Sequence, residues 1–220
     1  MSRISRASVI FDMDGLLLDT EPFYTQVTQE IVGRYGKTFD WSVKAHMVGR
    51  PAMESARYLV DALELPLAPE AYLTERERLL EALAPTCRAL PGAVELTQAL
   101  AAVGAPLAIA TSSARRLFDL KTTRHQEWLA VFRVVVRGDD PRLTRGKPAP
   151  DIFLLAAEEL GAAPSTCIVL EDAPSGVAAA RAAKMQVIAV PDPANTAADF
   201  TAATRVVTSL EELTPSDFGW

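Results

Sequence analysis

Apolar and polar positions along the chain fall into two rhythms. Residues 7–11 (ASVIF) form a short apolar, β-branched run ending in DMDG, which predicts a buried strand feeding a functional loop. From about residue 21 to residue 83 the spacing turns helical, with Val27, Ile31 and Tyr35, then Ala56, Leu59, Val60 and Leu63, on recurring faces. That stretch predicts a helical insertion. After a turn at Pro91-Gly92 the pattern gives a helix at 93–103, a strand at 106–110, helical material around Leu117 and Trp128, and a strand at 132–136. A helix at 151–160, a strand at 167–170, a helix at 175–183, a strand at 186–190 and a weaker last strand near Val206 follow. Such β-then-α alternation predicts an α/β fold whose parallel sheet is covered on both faces. Ligands of open sheets bind beyond the carboxyl ends of the strands, so the polar residues there are the candidates for chemistry.

Composition narrows the class. With 220 residues, 49% of them hydrophobic and 23% charged, the chain suits one globular unit, or a core carrying a smaller insertion, rather than a disordered segment. No apolar run approaches the ~20 residues that cross a bilayer, and the start MSRISRASVIFD meets an aspartate too early for a signal peptide. A cytoplasmic, monomeric protein is therefore expected. Cys87 and Cys167 lack metal or disulfide spacing and read as buried small apolar residues. A net charge of -6 argues against nucleic-acid and membrane partners, which need a basic surface. An anionic substrate would then have to be met by local positive charge.

Four strand ends carry that chemistry. After the first, Asp12-Met13-Asp14-Gly15 sets two carboxylates on one side of an extended chain, where they can bind a cation, attack, or move protons. DxDG also serves equally well as an ordinary turn. After the second, Thr111-Ser112-Ser113 offers hydroxyls and amides to phosphate oxygens, or simply a helix cap. After the third, GKPAPD flanks Lys147 with prolines, with Asp151 able to cap the next helix; a fixed ammonium offsets charge at a phosphoryl group. A solvated surface lysine is the alternative. After the fourth, Glu171-Asp172 places two acids where metal ligation explains them, or where a helix dipole favours them.

DMDG, the Thr111-Ser112 pair, Lys147 and EDAPSG, in this order, resemble the four motifs of the haloacid dehalogenase-like superfamily across nearly the whole chain. The resemblance implies a Rossmann-like parallel sheet core (1–17 and 88–220) with an inserted α-helical cap domain (18–87). It also implies a magnesium-dependent phosphatase in which Asp12 forms an aspartyl phosphate while Asp14 protonates the leaving alcohol and then activates water. Met13, Asp14, Thr111, Ser112 and Lys147 would hold the phosphate. Asp12, Asp14 through its carbonyl, and Asp172 would hold Mg2+, with Glu171 helping. Gly49-Arg50-Pro51 resembles a substrate-specificity loop, making Arg50 a candidate substrate ligand.

Longer stretches, among them TSSARRLFDLKTTRH and VVRGDDP, resemble the branch of pseudouridine-5'-phosphatases and plant-type glycerol-3-phosphatases, which implies a small phosphomonoester substrate. A sugar phosphomutase and a non-catalytic phosphate-binding regulator are the alternatives. Related mutases carry histidine where this chain has Tyr24, which weighs against the first; Asp12 and Asp14 together weigh against the second. Lys184 replaces a glycine common in relatives, implying a left-handed helix end. His46 and His125 are expected to be structural, Trp41, Trp128 and Phe118 to pack, and Arg115, Arg116, Lys121 and Arg124 to form a solvated basic helix face.

Overall fold

The computed structural model describes residues 6–47, 52–193 and 199–220. Residues 48–51, and with them Gly49, Arg50 and Pro51, lie outside the described residues. The strands β1 (Ser8–Phe11), β2 (Leu107–Ala110), β3 (Val134–Val136), β4 (Cys167–Glu171), β5 (Gln186–Ala189) and β6 (Arg205–Val206) form one sheet in the order β3-β2-β1-β4-β5-β6. Every neighbouring pair runs parallel. The α/β expectation holds, with β1 central.

The apolar runs are continuous because both faces of the sheet are covered, and the period of two sorts their side chains. Val9 and Phe11 of β1, Leu107 and Ile109 of β2, and Ile168 and Leu170 of β4 enter one core with α5 (Ala93–Ala102). Ile10, Ala108, Ala110, Cys167 and Val169 enter the other, against α8 (Asp151–Leu160) and α9 (Pro174–Ala182). Shifting β1 by one residue would exchange its two cores, so its register fixes where Asp12 emerges.

Between β1 and β2 lie α1 (Glu21–Gly33), α2 (Trp41–Lys44), α3 (Ala52–Ala62) and α4 (Pro69–Leu83). They bury a third apolar cluster around Ile31, Leu59 and Tyr72. The segments that lead into and out of this stretch pair with each other: Asp19 N donates to Arg88 O and Leu90 N to Leu17 O, both at 2.9 Å. Past β2 come α6 (Arg115–Lys121) and α7 (Gln126–Leu129).

Several expectations change in detail. Tyr35 and Trp41 are 40% and 38% exposed and pack little, whereas Trp128 and Phe118 are buried as expected. Asp151 does not cap α8, whose N-cap is Pro150; its carboxylate instead accepts from Thr144 Oγ1 at 2.6 Å and Arg145 N at 3.1 Å, pinning the loop that carries Lys147. The basic face after β2 is not uniformly solvated, because Lys121 is buried. Arg116 reaches Glu81 of α4 at 2.5 and 2.8 Å. Lys184 has φ +61°, the left-handed helix end expected of it. Both cysteines are free and buried.

Candidate active site

Asp12 is the first residue past β1, and its N–H still pairs with Leu170 O of β4 at 3.0 Å. That bond aims the side chain beyond the carboxyl edge of the sheet, where Asp12 is only 6% exposed. Lys147 arrives from the loop after β3, where Nζ donates to Asp12 Oδ1 at 2.5 Å, Glu171 Oε1 at 2.6 Å and Ala110 O at 3.1 Å. The rigid loop thus delivers a buried ammonium rather than a solvated lysine.

Burial pushes the Asp12 carboxyl up to about 7; the charges of Glu171 and Asp14 add to the rise, and Lys147 opposes it. Lys147 is itself held above the ordinary lysine range, because Asp12 and Glu171 outweigh the burial that works against its charge.

Asp14 is held quite differently. Its Oδ2 accepts from Ser113 Oγ at 2.8 Å and Thr111 Oγ1 at 3.2 Å, and its Oδ1 is ion-paired with Lys121. Burial works against the anion, but Lys121 and then Ser113 overcome it and keep the carboxyl below its ordinary range. The Thr111 hydroxyl is therefore spent on Asp14 and, as acceptor, on Ser113 N at 3.0 Å; Ser112 is the exposed member of the trio and lines the cavity.

Asp172 lies directly against Gly15. Gly15 makes this possible: its φ is +79°, and a Cβ there would run into the Asp172 carboxylate. Burial, then the charges of Glu171, Asp12 and Glu21, raise Asp172 well above the ordinary carboxylate range. Glu171, by contrast, is turned toward Lys147 and accepts from Ala173 N at 3.2 Å. Among the described residues, no three His, Cys, Asp or Glu side chains converge into a complete metal cage. A pair of mutually repelling carboxylates, Asp12 and Asp172, is still a fitting donor set for a hard divalent cation that keeps waters and takes further oxygens from a phosphate.

Two adjoining cavities, of about 440 and 470 Å³, open above these residues and share Glu21, Tyr24, Arg76, Ser112, Lys147 and Asp172 in their walls. One reaches the strand ends; the other runs between α1 and α4 past Thr28 and Tyr72. Sequence reasoning missed Arg76, whose guanidinium stands 5.5 Å from the Tyr24 ring centre and 5.8 Å from that of Tyr72. Its Nε is buried without a hydrogen-bond partner. Tyr72, Arg76 and Leu80 recur every four residues, so a charge on an otherwise inward stripe was the available signal. Lys121 was misplaced for the same reason: it follows the buried Phe118 by three. His125 is structural, its Nε2 2.9 Å from Cys87 O.

A profile of haloacid dehalogenase-like hydrolases matches residues 7–184. The chain is 49% identical over 222 residues to (DL)-glycerol-3-phosphatase 1, mitochondrial, of Arabidopsis thaliana, covering 99% of this chain and 74% of that protein. It is 42% identical over 213 residues to a probable pseudouridine-5'-phosphatase of Drosophila melanogaster, covering 96% and 92%. The crystal structure of a putative beta-phosphoglucomutase from Thermotoga maritima superposes with a TM-score of 0.69 at 30% identity, covering 96% of each chain.

Proposed function

Since the chain belongs to the haloacid dehalogenase-like hydrolases and is a phosphomonoester hydrolase, we propose that it cleaves a small sugar or polyol phosphate, such as glycerol 3-phosphate or pseudouridine 5'-phosphate, with Asp12 as nucleophile. The observation that carries this reading is the pair of carboxylates two residues apart in opposite surroundings: Asp12 faces Lys147 and the cavity floor, while Asp14 is gripped from the side. Pairs of carboxyls whose environments differ in this way divide nucleophilic and proton-transfer roles between them.

In this reading an Asp12 oxygen bonds to phosphorus as the ester P–O bond breaks. Asp14 gives its proton to the departing oxygen and later takes one from the water that frees Asp12. A phosphoryl dianion arriving beside Asp14 pushes its pKa back up, so proton uptake accompanies substrate binding. Lys147 and the amides after β1 and β2 hold the equatorial oxygens, and Glu171 keeps Lys147 aimed. Asp12, the Asp14 carbonyl and Asp172 would hold Mg2+, which when bound neutralises the phosphate charge that would repel an anionic nucleophile. Residues 18–87 act as a cap over the core of 1–17 and 88–220, with Arg76 reaching the substrate from α4. Tyr24 in the position where related mutases carry histidine supports hydrolysis over phosphoryl shuttling between hydroxyls.

The test is inorganic phosphate release from glycerol 3-phosphate, pseudouridine 5'-phosphate, uridine 5'-phosphate and hexose phosphates, each with magnesium and with chelator. We expect magnesium-dependent release from at least one, abolished in a folded Asp12→Asn variant. Folded, metal-loaded protein that releases phosphate from none of them refutes the proposal.

A further inference from the structure

We propose that Lys121 is a positioning residue of the reaction: it fixes the direction of the Asp14 carboxylate and thereby sets how well the enzyme expels leaving groups that need a proton. The inference rests on the phosphatase reading above, in which Asp14 protonates the departing alcohol.

Lys121 is the last residue of α6, and its side chain is 2% exposed. Besides its ion pair with Asp14 Oδ1, Nζ donates to Ser113 Oγ at 2.9 Å and lies 3.4 Å from Tyr24 Oη. Ser113 Oγ in turn donates to the other oxygen of the same carboxylate at 2.8 Å. Lys121 and Ser113 therefore form a closed clamp around Asp14, with Thr111 as a third contact. Burying a lysine that only fills space is costly, and this one buries its charge against a single carboxylate. Neither Lys121 nor Ser113 is hydrogen-bonded to Asp12, Glu171 or Asp172, so the clamp addresses one of the two carboxylates and leaves the other to Lys147. A carboxyl that rotates freely presents its proton to the ester oxygen only part of the time, whereas a fixed one is already oriented for transfer.

The chemistry gives this a specific signature. An alkoxide such as that of glycerol leaves poorly without a proton, whereas p-nitrophenolate is stable and leaves without one. The second-order constant kcat/KM reports only the steps through departure of the leaving group, in which Asp12 gains the phosphorus bond, the ester P–O bond breaks and the Asp14 proton passes to oxygen. Loosening the clamp should therefore depress kcat/KM for an alkyl phosphate and spare it for an aryl phosphate with an acidic leaving group. A residue that merely supports the fold, or the phosphate subsite, would lower both alike.

The experiment measures kcat/KM for p-nitrophenyl phosphate and for whichever alkyl phosphate wild type hydrolyses best, in wild type, Lys121→Met, Asp14→Asn and the double variant, with magnesium present and folding checked by thermal denaturation. We expect Lys121→Met to lose about a hundred-fold on the alkyl ester and at most about three-fold on the aryl ester. It should add almost nothing to Asp14→Asn, since both changes act through one group. If Lys121→Met does not fold, Ser113→Ala opens the same clamp more mildly and should show the same inequality. Equal losses on both esters, or an effect of Lys121→Met that persists undiminished without Asp14, overturn the inference while leaving the phosphatase reading intact. Wild type that hydrolyses neither ester defeats the phosphatase reading itself.

Discussion

Lys147 stands between Asp12 and Glu171, with Nζ 2.5 Å from one carboxylate and 2.6 Å from the other, although the three residues come from three separate strand ends. One ammonium for two buried anions leaves the site short of positive charge. Burial, with the charges of Glu171 and Asp14 added to it, therefore keeps Asp12 near 7 even with Lys147 in contact.

Removing the ammonium while keeping its length isolates this effect. Lys147→Met is expected to abolish turnover and to lower the stability of the metal-free protein by about 3–5 kcal/mol near neutral pH, because it leaves Asp12 and Glu171 without their shared counter-charge in a desolvated pocket. Urea unfolding with chelator present measures the second effect. A stability within about 1 kcal/mol of wild type would mean that Asp12 and Glu171 are compensated by some other group.

Metal dependence and pH are linked through the same carboxyls. Asp12, at about 7, and Asp172 are raised in the folded protein, so the stability they lend is complete below the ordinary carboxylate value of 3.8 and is lost as pH rises through their raised values, which for Asp12 is about 7. Asp14 is depressed instead; its contribution is present above 3.8 and fades only in stronger acid, outside this window. Ionisation of the raised pair therefore destabilises chelated protein as pH rises from about 4, for Asp12 up through about 7, and magnesium, which binds the ionised forms, offsets that loss. Thermal unfolding should show a magnesium-induced rise of several degrees at about pH 8 and less than half as much at about pH 5, each kcal/mol being worth about 2–4 °C in a chain of this size. The reverse order would exclude these carboxylates as the metal site.

The fold and most of the grouping of side chains at the strand ends were legible because both depend on short-range pattern. Continuous apolar runs mark strands covered on both faces, and Asp12, Lys147 and Asp172 follow such runs directly or on a stiff loop. What sequence concealed was orientation on helices. Lys121 and Arg76 look like surface charges by type, and only their spacing from Phe118 and from Tyr72 and Leu80 places them inward. The role of Asp151 was misread because a carboxylate near a helix start has two sets of N–H groups in reach, and Thr144 and Arg145 on its own loop hold it. Thr111 shows the same ambiguity at the next strand end, where Asp14 competes for its hydroxyl.

Arg76 gives the next expectation. A guanidinium held between the rings of Tyr24 and Tyr72, bordering both cavities and with its Nε unpartnered, is oriented but not neutralised. Arg76→Met keeps much of the packing and removes the donors. KM for the preferred phosphomonoester should rise at least about ten-fold, as expected for loss of a charged hydrogen bond, with a smaller change in kcat. An unchanged KM would assign Arg76 to the packing of α1 against α4 alone.

Gly176, in the first turn of α9, sets helix propensity against the site. By propensity alone, Gly176→Ala should stabilise an ordinary helix position by up to about 1 kcal/mol. Here the added Cβ would fall on the Glu171 carboxylate. Glu171 cannot yield cheaply: it is 1% exposed, holds Lys147 at 2.6 Å and accepts from Ala173 N at 3.2 Å. Displacing it breaks a buried charged pair and leaves Lys147 aimed only by Asp12 and the Ala110 carbonyl, a cost of about 3 kcal/mol or more that exceeds the propensity gain. We therefore expect Gly176→Ala to unfold several degrees below wild type and to lose at least about ten-fold in kcat/KM, with Gly176→Ser no better. A variant as stable and active as wild type would show that Glu171 has room to move, and that its contact with Lys147 is not what keeps the lysine on Asp12.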